Sequence, residues 1–150
     1  MTGCVTAVPS LPEIRIAAVD GQEQLSEYQD GALVWSALGF SVGNSSLPEC
    51  ERHWYETGNT ECAITIRVTR DPLLREREGT DALSSREGRT IAIDSELTNQ
   101  YNLIVAVAHE VGHIVLDTAE HTSGGVMGGA SARLERVDYD LACRSIHVCQ

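Results

Sequence analysis

The chain has 150 residues, 42% hydrophobic and 22% charged, which is enough for one globular domain with a buried core. Its longest purely apolar run, Leu103 to Ala108, falls far short of the roughly 18 residues that a membrane-spanning helix needs. A formal net charge of −11 excludes nucleic acid and anionic membrane surfaces as the main partner, because both would repel it, and leaves protein or peptide partners that are neutral or cationic.

In chain order, residues 5–12 (VTAVPSLP) are an irregular lead-in and 14–19 (IRIAAV) a short strand. From Gln22 to about Leu38, Leu25, Tyr28, Ala32, Leu33, Trp35 and Leu38 recur at helical spacing, weakened by Asp30-Gly31, and Gly39 fits a C-terminal stop. Phe40 and Val42 begin a second strand. In 62–69 (CAITIRVT), Ile64, Ile66 and Val68 alternate with Thr65, Arg67 and Thr69, so one face is buried and the other wet. Residues 70–88 are charged and loop-like, with a short strand candidate near Asp81 to Ser84, and this segment is expected to shape a specificity pocket. A further strand covers 88–94 (GRTIAID).

A helix is predicted from about Asn99 to Leu116, with Thr98 or Asn99 as N-cap and an apolar face of Leu103, Ile104, Val107, Val111, Ile114 and Val115. The glycine-rich TSGGVMGG follows, then a last helix from about Ala132 to Ser145. The order of elements implies an α+β fold, with helices packed on a small twisted mixed sheet.

The five cysteines stand at positions 4, 50, 62, 143 and 149. Cys50–Cys62 and Cys143–Cys149 are candidate local disulfides, which would place the protein outside the reducing cytosol. Cys4 is left over, and MTGC resembles the end of a bacterial lipobox. That resemblance implies an exported lipoprotein lipidated at Cys4 and anchored to a bacterial membrane, with residues 1–12 as its lead-in.

Residues 109–113 read HEVGH. On a helix, His109 and His113 share one face about 6 Å apart along the axis, where both imidazoles reach one ion. Zinc takes imidazole nitrogen and keeps a position open for water when three protein ligands bind it. Glu110, beside them, can accept the proton of that water. Gly112 in a helix interior points to close packing there. For the third ligand the candidates are His121, Glu120 and Asp117. An unbroken helix would carry Asp117 about 6 Å beyond His113, too far from an ion held between the histidines. The chain must therefore turn back, and Asp117 tolerates the left-handed conformation such a turn needs. Ligand chemistry, together with the family resemblance described next, favours His121, with Glu120 as its rival.

NLIVAVAHEVGHIV, HTSGGVMGG and RLERVDYDLACRSI resemble, in order, the active-site helix, the third-ligand-to-Met-turn segment and the C-terminal helix of metzincin zinc endopeptidases. The likeness is to matrix metalloproteinases and the small bacterial snapalysins, and it covers about residues 90 to 146. It implies a zincin-like catalytic domain over 13–150, one catalytic Zn2+, Glu110 as general base and acid, Met127 as the Met-turn residue, and Asp138 or Asp140 orienting the active-site helix from below. The chain departs from the HExxHxxGxxH pattern: Leu116 stands where glycine is expected and Ala119 where the third ligand is expected. His121 comes two residues late, as if the turn carried a two-residue insertion. A ligand from the last helix, such as Glu135, would instead make the site gluzincin-like.

The expected protein is thus a monomeric, exported zinc metalloendopeptidase acting on protein or peptide substrates. The substrate is expected to lie extended against a sheet edge near residues 80 to 92. A non-catalytic zinc-binding recognition module is the alternative.

Overall fold

The computed structural model describes residues 11–43 and 63–149. Its elements run β1 (Glu13–Ala18), α1 (Leu25–Leu33), β2 (Ser41–Val42), β3 (Ala63–Asp71), α2 (Leu74–Glu78), β4 (Ala82–Ser85), β5 (Thr90–Asp94), α3 (Gln100–Val115) and α4 (Arg136–Ile146). Short 3-10 turns at Gln22–Gln24 and Val34–Leu38 extend α1 at both ends, so the helical periodicity over 22–38 is one continuous but tightened segment. The fold is α+β, with four helices and one mixed five-stranded sheet among the described residues.

Strand order is β2-β1-β3-β5-β4. The first four strands pair in parallel, and β4 runs antiparallel to β5 at the edge, with Ser84 opposite Ile91. The edge expected near residues 80 to 92 is therefore β4 alone. β5 lies inside the sheet between β3 and β4.

Alternation within the strands sends one set of side chains into a single core. Ile14, Ile16, Ile64, Ile66, Val68, Ile91 and Ile93 are buried there with Tyr28, Ala32 and Trp35 of the first helical segment and Leu103, Val107 and Val111 of α3. Thr65 and Arg67 face the other way and are exposed. Gly31 sits where α1 crosses α3: a Cβ there would press on Val107, so the residue that weakens α1 locally also lets the two helices approach.

Two elements differ from expectation. α2 lies inside the segment read as loop. Its first turn is held from a distance, since the buried Asp94 carboxylate of β5 accepts from the Arg75 N–H at 2.9 Å and from the Glu96 N–H at 2.9 Å. Those two bonds hold the Asp94 pKa below its ordinary value. The last helix begins at Arg136 rather than near Ala132, because Glu135 and Asp138 form a capping box that sets its first turn there.

Cys143 and Cys149 lie at disulfide distance, with Cα atoms 4.4 Å apart, and tie the tail to the end of α4. Cys4, Cys50 and Cys62 lie outside the described residues. No helix among the described residues is long and apolar enough to cross a membrane.

Candidate metal centre

α3 starts at Asn99, whose side chain accepts from the Asn102 N–H, and runs unbroken through HEVGH. Its end decides the site. Leu116 is the C-cap and Asp117 follows with φ 49°, in the left-handed region. The Asp117 N–H donates to the Ile114 carbonyl and the Thr118 N–H to the His113 carbonyl, the two bonds of a Schellman stop. Asp117 thus fills the turn position that glycine usually takes, and the chain reverses.

The reversal brings three imidazoles together. His113 Nε2 lies 3.1 Å from His109 Nε2 and 3.1 Å from His121 Nε2. Among the described residues these three histidines form the one group able to hold a metal ion, and they do so with ligand atoms within 4.8 Å of one another. The rivals point elsewhere. Asp117 is 65% exposed and lies 3.6 Å from Arg86, while Glu120 is 60% exposed and lies 3.8 Å from Arg144. The Glu135 side chain is engaged in the α4 capping box.

The donor set fits a cation on chemical grounds. His113 Nδ1 lies 2.8 Å from the Thr118 carbonyl and His109 Nδ1 lies 2.9 Å from the Val126 carbonyl. A carbonyl only accepts, so both Nδ1 atoms carry the proton, and in the neutral rings both Nε2 atoms present bare lone pairs. Two lone pairs facing each other repel unless a positive centre sits between them. With bonds of about 2.0–2.1 Å, tetrahedral zinc sets its nitrogen ligands about 3.3 Å apart, close to the spacing found here. Burial holds His113 neutral as well, lowering its pKa from 6.5 to about 4.

Beneath the histidines the packing is tight. Gly112 faces the Met127 sulfur and the Trp35 indole so closely that a Cβ would collide with both. The Trp35 Nε1–H donates to the Ala108 carbonyl at 2.8 Å, which anchors α3 from the other side. Met127 is fully buried, with its sulfur against Gly112 of α3.

Asp138, also fully buried, accepts from the Val126 N–H (3.0 Å), the Met127 N–H (2.9 Å) and the Glu135 N–H (2.8 Å). Gly125, at φ 68°, allows this approach, since a Cβ there would strike the carboxylate. Of the two acids expected to orient α3, Asp140 is exposed, and Asp138 bonds to the turn at Val126 and Met127 and to Glu135 rather than to α3 itself. It fixes the Val126 peptide, whose carbonyl then fixes the His109 ring. A carboxylate–backbone–imidazole chain of this kind is an outer-shell support for a metal ligand.

A cleft of about 740 Å³ runs over the trio, lined by β4 (Ala82, Leu83, Ser84), by Asn102, Val105 and Ala106 of α3, and by Thr118, Ala119 and Gly129. Glu78, Thr80 and Asp81 form part of its wall, so the 70–88 segment does contribute to the cleft. Glu110 opens on the same cleft while 8% exposed. Its burial raises its pKa, opposed by a hydrogen bond from the Ser84 hydroxyl (2.8 Å) and by the charge of His121. Ser84 was not singled out from sequence. The available signal was a hydroxyl at a strand position whose neighbour two residues back, Ala82, is buried.

Compared with protein-family models and with curated proteins, the chain has no match.

Proposed function

We propose that the chain is a zinc-dependent endopeptidase with a metzincin-like, zincin-type active site. The observation that carries this is the placing of a buried carboxylate, Glu110, beside three imidazoles that converge on one point and open onto the same cleft. His109, His113 and His121 would hold the ion, and three neutral nitrogen ligands suit zinc with one position left for water or substrate. Zinc bound there supplies Lewis-acid polarisation of the scissile carbonyl and lowers the pKa of water.

The chain's own residues do the rest. Glu110 takes the proton of the attacking water and later gives it to the leaving amine; burial raises its pKa, which makes it a better proton acceptor than an exposed carboxylate. β4 is the sheet edge along the cleft among the described residues, where an extended peptide can pair by main-chain hydrogen bonds. Met127 and Asp138 keep the turn beneath the ligands rigid. The Cys143–Cys149 pair supports an exported location, and anchoring through Cys4 belongs to the same proposal.

The test is cleavage of unfolded casein. Wild type cleaves, a chelator stops it, zinc restores it, and Glu110→Ala does not cleave although it retains zinc. Full activity in Glu110→Ala would refute the mechanism.

A further inference from the structure

The inner face of β4 carries a polar side chain where an apolar one would pack. Ala82 is buried toward the core, Leu83 turns outward and is 41% exposed, and Ser84 returns inward, half-buried. A hydroxyl in that position costs stability unless it finds a partner. Its partner is Glu110: Ser84 Oγ donates to Oε1 at 2.8 Å across 26 residues of sequence. The pairing of Ser84 with Ile91 in the sheet fixes where that hydroxyl stands.

A glutamate side chain has three rotatable bonds, so a general base on a helix must be held to be effective. Here one carboxylate oxygen is tied to the strand that forms the cleft wall, which leaves the other oxygen for the proton of the attacking water. We propose that Ser84 is a positioning residue for Glu110, locking its carboxylate between the cleft-edge strand and the histidine cluster. This rests on the hydrolytic role given to Glu110 above. Ser84 does not touch the reacting atoms; it acts through Glu110.

The experiment measures kcat and KM of the zinc-loaded full chain on an internally quenched peptide for wild type, Ser84→Ala, Ser84→Thr and Glu110→Gln, with zinc content determined for each. The expected result is a kcat about 10-fold lower in Ser84→Ala, the scale of losing an outer-shell partner, with unchanged zinc content. KM should stay within about twofold, since ground-state binding is untouched. Ser84→Thr keeps the hydroxyl and suits a strand, so it restores kcat. Wild-type kcat in Ser84→Ala, a change in KM alone, or a Ser84→Thr as slow as Ser84→Ala would overturn the proposal while Glu110→Gln stays inactive. An inactive wild type, or an active Glu110→Gln, would overturn the hydrolytic role itself and Ser84's part with it.

Discussion

Replacing Asp138 separates the support of the site from its ligands. Its carboxylate takes three backbone N–H groups, two on Oδ2 (Val126 and Glu135) and one on Oδ1 (Met127). In Asp138→Asn the amide oxygen does best at the Oδ2 position, keeping two bonds and setting the NH2 group against the Met127 N–H. Losing one bond to a charged acceptor costs about 2–3 kcal/mol. Asp138→Ala loses all three and strands buried N–H groups, for about 4–6 kcal/mol. For a chain of this length each kcal/mol moves Tm by roughly 2–4 °C, so Asp138→Asn should melt roughly 5–10 °C lower and Asp138→Ala much lower still. Thermal unfolding followed by circular dichroism in excess chelator reads this without any contribution from metal binding. Zinc affinity should fall in both variants, because the Val126 carbonyl that orients His109 loses its anchor. An Asp138→Asn protein that melts with wild type, or an Asp138→Ala no less stable than Asp138→Asn, would refute the reasoning.

Gly112→Ala places a methyl against the Trp35 ring and the Met127 sulfur. Overpacking of about 1–3 kcal/mol should outweigh the helix-propensity gain of about 1 kcal/mol, giving a lower Tm; a stabilised variant would mean the contact yields freely. In the metal-free protein, His113 binds its proton only near pH 4, whereas unfolded it does so near 6.5. Its contribution is complete above pH 6.5 and is lost as pH falls toward 4, on the order of 3 kcal/mol in all. Glu110, with its pKa raised, works in the opposite sense, favouring the fold as pH falls and losing that contribution as pH rises through its folded pKa. Denaturant unfolding of wild type against His113→Asn across that window isolates the histidine, and parallel pH profiles of the two would contradict it.

What could be read from the sequence was local or periodic. The strand alternation of Ile64, Ile66 and Val68, the helical face from Leu103 to Val115, and the convergence of His109 with His113 all follow from fixed periods of 2.0 and 3.6 residues. That the chain turns back after α3 was legible because helix geometry excludes Asp117 as a ligand and because Asp117 tolerates a positive φ; the preference for His121 over Glu120 came from ligand chemistry and the metzincin resemblance. What escaped depends on partners far along the chain. α2 is only five residues long and its first turn is held by Asp94 of β5, so the local signals within 70–88, the run Leu74–Glu78 and the stop at Gly79, were too short to stand out. The start of α4 was set too early because its box is closed by Glu135 and Asp138, an unusual acidic pair for that role. Ser84 and Trp35 reach α3 across 26 and 73 residues, distances over which only the folded chain shows what meets what.

The central claim is that His109, His113 and His121 together hold one zinc ion. A crystal grown with zinc and measured across the zinc absorption edge tests it directly. The account predicts a single anomalous peak about 2.0–2.1 Å from Nε2 of all three histidines. A peak ligated by Asp117 or Glu120 in place of His121, or no peak at the cluster, would contradict it.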